Sequence, residues 1–490
     1  IAGKTEKNFF PRGFFMYDFY ENPLCTRYAG RKMQEIFGDR HRIGLWRRLW
    51  LALAESEKEL GLSITEDQLN EMREHMVPSD EEFAVAAERE KAVFHDVMSH
   101  IYAFGEVCPK AKPIIHLGAT SCFVTDNSEL IQMYEGLEVI KGELAEVIEL
   151  ISKFASENAD LPCLGYTHFQ AAQFTTLGKR FSLYLQDFVS DYKDLCALED
   201  DFRLRGAKGT TGTQASFMEL FADPEKVKKL DKMIAEKMGF KGVFSVTGQT
   251  YPRKFDFKVQ NVLAGIAVSS HKFAVDMRLM QSMKEAEEPF GASQIGSSAM
   301  AYKRNPMKCE RICALSRYVE SLPANGAVTA STQWLERTLD DSANRRLVNA
   351  QAFLATDGIL SLVKKVVAGI KVNEKVIAKR LEAELPFIST ENILMRCVEK
   401  GGDRQELHER IRVLSMQAAE NVKNGGENDL WQRMEKDEVF RQYGEVLTDR
   451  PKATDYIGRA PEQTREYVAE VKAYMNRMKA SEGKKRGEER

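Results

Sequence analysis

The apolar positions of this chain recur at three- and four-residue spacing over long stretches. Leu144, Val147, Ile148, Ile151, Phe154 and Ala155 form one such stripe, a period that puts their side chains on one face of a helix. Phe181, Leu185, Phe188, Tyr192 and Leu195 form a second, with near-heptad spacing that favours packing against a partner helix. No proline interrupts the chain from Lys254 to Glu288, where Val259, Val262, Ile266, Phe273, Met277 and Met280 mark a third. Such lengths exceed the roughly 10–14 residues of an ordinary globular helix. They predict an all-α fold of long bundle helices rather than alternating strands and helices. Strand-like alternation is scarce, and Gly242-Val243-Phe244-Ser245-Val246 is the short extended candidate.

Proline, glycine and small polar residues punctuate the helices at 108–113, 118–121, 161–165, 206–213 and 289–306. The chain of 490 residues is too long for one core, and about 150 residues per domain suggests three. Boundaries are expected near residues 120 and 372. That gives an N-terminal helical domain (1–120), a central long-helix domain (121–372) and a C-terminal helical domain (373–490). The charged, glycine-containing stretch from Ser481 reads as a disordered tail.

Composition narrows the function classes. A net charge of -3 leaves no basic footprint for nucleic acid. No window approaches the ~18 uninterrupted apolar residues of a membrane span. Ile1 to Arg12 has no apolar core of the secretory kind, and Ile1 in place of Met suggests a trimmed or partial start. The eight cysteines are scattered without a C-x-x-C pair, so they read as reduced thiols of a cytoplasmic enzyme. Cys309 and Cys313, one helical turn apart, read as a buried helix face.

The candidate chemistry is concentrated in a few segments. In Gly296-Ser297-Ser298-Ala299-Met300-Ala301-Tyr302-Lys303-Arg304-Asn305-Pro306, hydroxyls, a cation and an amide share one loop. Such a loop can bind an anion and stabilise negative charge that develops on it. His168 follows a proline/glycine break and is flanked by Thr167 and Gln170, a setting in which an imidazole can deliver a proton near neutral pH. His95 and His100 flank Asp96. A metal would need further ligands and no H-E-x-x-H pattern exists, so no metal is expected, and a substrate-orienting role for His95 and Asp96 is preferred. Lys208-Gly209-Thr210-Thr211-Gly212-Thr213 lacks the residue order of a phosphate-binding P-loop and reads as a tight turn. In the run from Glu336 to Arg346, arginine forks and a serine hydroxyl suit a phosphate, while Asp340 and Asp341 suit a salt-bridged helix start.

Taken together, these segments resemble the adenylosuccinate lyase family of the fumarase/aspartase superfamily. The signature loop of that superfamily usually reads G-S-S-x-M-P-x-K-x-N. The matching runs span most of the chain in the family's order: Arg27-Tyr28, His95-Asp96, 116–121, 167–170, 208–217, 247–250, the signature loop and 336–346. Thr338-Leu339-Asp340-Asp341-Ser342-Ala343-Asn344-Arg345-Arg346 narrows the resemblance from the superfamily to this family, closest to its animal-type members. The resemblance implies a three-domain all-α fold whose central helices assemble into a homotetramer with active sites shared between subunits. It implies two substrates, adenylosuccinate and SAICAR, cleaved to fumarate and AMP or AICAR without a cofactor.

Position by position, the resemblance implies Ser297 as general base and His168 as general acid. It implies Lys303 and Asn305 as stabilisers of the charged carboxylate. Thr120, Ser121 and Gln249 would bind the succinyl part. Arg27, Tyr28, Arg311, Arg337, Ser342 and Arg346 would bind the nucleotide, with His95 and Asp96 in a substrate-contacting stretch. Residue chemistry alone makes a histidine the first choice of base. A serine serves only if nearby positive charge and backbone N–H donors stabilise its alkoxide. The chain departs from the family pattern at Ala171 and Ala301, where proline is usual, and at Phe94, where relatives can carry arginine. Loss of the prolines should loosen the loops holding His168 and Ser297. Two alternatives stand beside this reading: a superfamily lyase acting on argininosuccinate or aspartate, and a helical scaffold protein descended from a lyase.

Overall fold

The computed structural model describes residues 19–291 and 293–488. The N-terminal stretch read as lacking a secretory signal, and Ala292 of the signature region, lie outside the described residues. The described residues are all-α, 69% helical against 4% strand. The principal helices are α1 (Asp39–Glu59), α2 (Asp96–Val107), α3 (Ser121–Glu157), α4 (Leu177–Asp201), α5 (Lys254–Ser282), α6 (Met307–Ser321), α7 (Asp341–Ala368), α8 (Glu374–Ile388) and α9 (Ala460–Glu488). Shorter helices fill the connections between them.

The predicted stripes are the buried faces of α3, α4 and α5. Leu144, Val147, Ile148, Ile151 and Ala155 are buried in α3, and all five stripe residues of α4 are buried. Each fully buried aliphatic side chain contributes about 1.5–3 kcal/mol, so packing of the stripe, not the weak helix propensity of Val and Ile, sustains helices this long. α5 stops at Ser282, before Pro289, because Lys284 adopts a left-handed backbone (φ 61°) that leads out of the helix. The extended candidate around Val243 contributes a single parallel bridge to Leu204.

The described chain falls into two compact units. The first takes in the chain up to Ile140 with Leu195–Ala267 and Leu315–Ser361. The second takes in Lys141–Asp194, Val268–Ala314 and the chain from Leu362. α3 begins at Ser121 and α8 at Glu374. The tail expected to be disordered from Ser481 continues α9 as helix through Glu488, and residues 489–490 lie outside the described residues.

One expectation is corrected. The break at 161–165 is not a loop but the start of an antiparallel hairpin, β1 (Pro162–Thr167) with β2 (Gln170–Thr176). A register shift between Leu164 and Tyr166 places a bulge at Gly165. There a Cβ would meet the Gln173 carbonyl oxygen at 2.8 Å, so only glycine fits. His168 and Phe169 form the two-residue turn, both left-handed (φ 52° and 57°). A second small pair, β3 (Ala286–Glu287) with β4 (Lys371–Val372), lies in the same unit. Among the described residues no helix is long and apolar enough to cross a membrane.

Candidate active site

The first unit encloses a cavity of about 1090 Å³. The starts of three helices open into it: His95 and Asp96 at α2, Thr120 to Cys122 at α3, and Asp341 and Ser342 at α7. A helix start leaves backbone N–H groups unpaired and carries the positive end of the helix dipole. Three such ends open on one cavity, whose wall carries Arg337 and Arg346 among carboxylates that include Asp96, the partner of Arg346; the helix ends and Arg337 suit an anionic group.

Local hydrogen bonds fix these side chains. His95 caps α2, its Nδ1 accepting from the Met98 N–H at 3.3 Å. In the neutral ring the proton is then on Nε2, which lies 3.3 Å from Ser121 Oγ. Arg346 Nη2 donates to Asp96 Oδ2 at 3.1 Å. Arg337 Nη1 donates to Gln249 Oε1 and to Cys122 Sγ, each at 2.7 Å. Burial pushes the Cys122 thiol up to about 11, so it receives this bond as a thiol and not as a thiolate. Gln249 is held by its own backbone, N–H to the Glu336 carbonyl and C=O to Arg205 Nε. Among the lining residues, Thr120 Oγ1, Arg337 Nε and Asp341 Oδ1 are buried polar atoms without a protein partner, and Glu129 Oε2 has only its ion pair with Arg345. Unpaired buried donors and acceptors are costly, so these atoms are open to a bound ligand or water.

A buried ionic network underlies the cavity. Arg253 joins α3 to α7, pairing with Asp126 at 3.1 Å and Asp341 at 2.7 Å. Arg345 pairs with Asp256 and Glu129, each at 2.6 Å, and its Nη2 donates to the Tyr251 hydroxyl. Both guanidinium groups lie against the Tyr251 ring, at 4.5 and 5.3 Å. Burial alone would push the Asp126 carboxyl up. Arg253, Arg345 and Arg205 outweigh it and hold the group below the usual carboxylate range. The adjacent arginines both line the cavity, but Arg345 is buried in the ionic network while Arg346 is exposed. Arg253 and Arg345 were not among the sequence candidates, because their partners lie about ninety or more residues away in the chain.

Other candidates lie elsewhere. Arg27 and Tyr28 sit in a π-helical turn (Leu24–Tyr28), where Gly30 N–H donates to Asp357. That contact is about four turns along α7 from its start, and neither residue lines the cavity. The 208–213 turn is no phosphate cradle. The Lys208 ammonium is buried and bonded to Asp231, and Thr247 O stands 1.9 Å from where a Cβ on Gly212 would be. His168, Ser297, Lys303, Asn305 and Arg311 belong to the second unit, and none lines the cavity. His168 is exposed at its hairpin turn, Arg311 is exposed on α6, and Lys303 is exposed. Ser297 Oγ accepts from the N–H groups of Ala299 (3.3 Å) and Met300 (3.1 Å). Asn305 Nδ2 donates to the Gly296 carbonyl at 2.7 Å, so this amide also pins the loop. No cluster of His, Cys, Asp and Glu that could hold a metal occurs among the described residues.

Comparison with known proteins places the chain in a family. A lyase family profile matches residues 32–320, and the profile of the adenylosuccinate lyase C-terminus matches residues 386–467. The chain is 51% identical to the adenylosuccinate lyase of Saccharomyces cerevisiae over 92% of its length and 94% of the relative's. It is 48% identical to that of Schizosaccharomyces pombe, with the same coverage. The 3-carboxy-cis,cis-muconate lactonizing enzyme of Pseudomonas putida shares the fold with a TM-score of 0.80 at 21% identity, over 93% of this chain and all of that one. The chain therefore belongs to the adenylosuccinate lyases, within the lyase family.

Proposed function

We propose that this chain cleaves adenylosuccinate to AMP and fumarate, and SAICAR to AICAR and fumarate, by β-elimination. The observation that carries the reading is the cavity of the first unit, where three helix starts and two arginines converge and buried polar atoms of Thr120, Arg337 and Asp341 lack partners. A succinyl nucleotide brings two carboxylates and a phosphate to such a site. Thr120, Ser121 and Gln249 bind the succinyl part. Arg337, Ser342 and Arg346 bind the nucleotide, joined by Arg27, Tyr28 and Arg311. His95 and Asp96 orient the substrate.

Ser297 removes the proton from the carbon beside the carboxylate. Backbone N–H groups of Ala299 and Met300 already point at its oxygen, and these favour the alkoxide that a serine base requires. Lys303 and Asn305 stabilise the carboxylate as it takes up charge, and His168 protonates the departing nitrogen. These four act from the second unit. The family resemblance supports a homotetramer in which each site draws residues from three chains, so that second-unit residues of neighbouring subunits serve the cavity. The three-part division at residues 120 and 372 belongs to the same reading. A cytoplasmic setting fits the eight free thiols.

The test is to mix purified protein with adenylosuccinate and follow both products. Fumarate and AMP should appear in equal amounts, and SAICAR should give fumarate with AICAR. A folded, assembled sample that binds AMP but releases no fumarate would refute the reading.

A further inference from the structure

Glu285 is a carboxylate with 2% of its surface exposed, in the short connection between α5 and the signature loop. It faces three groups, all of the second unit. Arg380 Nε of α8 lies 2.9 Å from Oε1, and Arg180 Nη1 of α4 lies 3.8 Å from Oε2. The Tyr166 hydroxyl of β1 donates to Oε1 at 3.4 Å and itself accepts from Arg380 Nη2 at 2.9 Å. Arg180 Nη2 also donates to the Leu164 carbonyl at 2.6 Å, beside the bulge of β1. The carboxylate therefore grips, directly and through two arginines, the strand that ends one residue before His168.

The same short segment roots the signature loop. The Glu285 carbonyl accepts from Asn373 N–H at 2.9 Å, and Ala286 and Glu287 pair with β4. Glu288 then accepts from the N–H groups of Lys308 (3.0 Å) and Cys309 (2.9 Å), closing the far end of the loop at the start of α6. The hairpin carries its own strain, since His168 and Phe169 are both left-handed without being glycine. A strained turn keeps its shape only where its surroundings over-determine it. Beyond the ladder of β1 and β2, Glu285 adds to that constraint through Tyr166 and, by way of Arg180, through Leu164.

We propose that Glu285 is a positioning residue for catalysis, whose buried carboxylate, through Arg180, Arg380 and Tyr166, fixes the His168 hairpin and the root of the Ser297 loop, whichever sites of the assembly the two serve. The proposal rests on the reading in which His168 is the acid and Ser297 the base. A placement error of about 1 Å at a reacting group can lower turnover about a hundredfold. The nucleotide cavity lies in the other unit and contains none of these residues, so product affinity should not follow.

The test compares Glu285→Gln and Glu285→Asp with the parent protein, measuring kcat, KM, AMP affinity and thermal stability. Glu285→Gln leaves two guanidinium groups without a counter-charge and can fail to fold. Glu285→Asp keeps the charge and withdraws it by one methylene, so it carries the test in that event. The expected result for Glu285→Asp is a kcat lower by about ten- to a hundredfold, with KM and AMP affinity within about twofold of the parent. Unchanged kcat would overturn the proposal, as would a loss of kcat, AMP affinity and thermal stability together, which would mark a role in folding alone. Ser297→Ala and His168→Ala run alongside. If they turn over normally, the acid–base reading has failed. If they are inactive while Glu285→Asp is fully active, only the positioning role has failed.

Discussion

Replacing Arg253 by methionine tests the link between the buried network and the site above it. Arg253 is 4% exposed and is the direct bridge between Asp126 of α3 and Asp341 of α7, which are 2% exposed each. Methionine fills similar space but leaves both carboxylates without this partner. Removing one member of a buried ion pair costs about 3–5 kcal/mol, because the remaining charge is stranded away from water. Asp126 retains the field of Arg345 and Arg205, whereas Asp341 loses its paired cation. Most of the loss should therefore trace to Asp341. Adding Asp341→Asn to Arg253→Met removes the stranded charge and should recover about 1–3 kcal/mol, the coupling expected of residues in one network. Urea unfolding followed by circular dichroism at pH 7 measures both quantities. AMP affinity should fall in Arg253→Met, since α3 and α7 carry Ser121 and Ser342 into the cavity. A loss below about 1 kcal/mol, or a double variant that is simply the sum of the two single ones, would refute the reasoning.

Burial raises the Glu57 carboxyl to about 9, so it is protonated in the folded chain at neutral pH. Its contribution is full below the ordinary carboxylate range and is lost as pH rises toward 9. At pH 7 the penalty is about 3 kcal/mol for a shift starting from 4.5. Glu57→Gln should remove most of it, raising stability at pH 7 and changing little at pH 4.5; equal effects at both pH values would contradict this. Ser297→Ala should lower kcat by about 10²–10⁴ with AMP affinity kept, and near-normal turnover would exclude Ser297 as the base. Dilution until the protein is monomeric by light scattering should abolish turnover, and a fully active monomer would exclude shared sites.

The long helices are legible in the sequence because their apolar stripes repeat over many turns, and only a helix brings a three- and four-residue repeat of that length onto one face. The hairpin was hidden for three reasons. β1 opens on Pro162 and bulges at Gly165, β2 is polar and largely exposed, and the turn is His168-Phe169 where Asn-Gly would be the usual signal. At the cavity, the segments holding Thr120, Ser121, Gln249, Arg337, Ser342 and Arg346 could be named from the sequence, and the structure gathers them around one cavity. Their convergence through three helix starts could not be, because it depends on how α2, α3 and α7 end together in space. Arg253 and Arg345 escaped notice for the same reason: a buried ion pair leaves no local spacing when its members come from different helices. Hydroxyl chemistry alone sets what a serine base would need, nearby positive charge and backbone donors; the Ala299 and Met300 N–H groups lie within hydrogen-bond reach of Ser297 Oγ.

The proposal that each site draws residues from more than one chain has the furthest-reaching consequence. Subunit mixing tests it most directly. Arg337→Ala disables the cavity and Ser297→Ala disables the loop, and each variant alone should be nearly inactive. Dissociated together and allowed to reassemble, they should form hybrids that pair an intact cavity with an intact loop, and fumarate release should return. Hybrid oligomers that form and still release no fumarate would contradict the account.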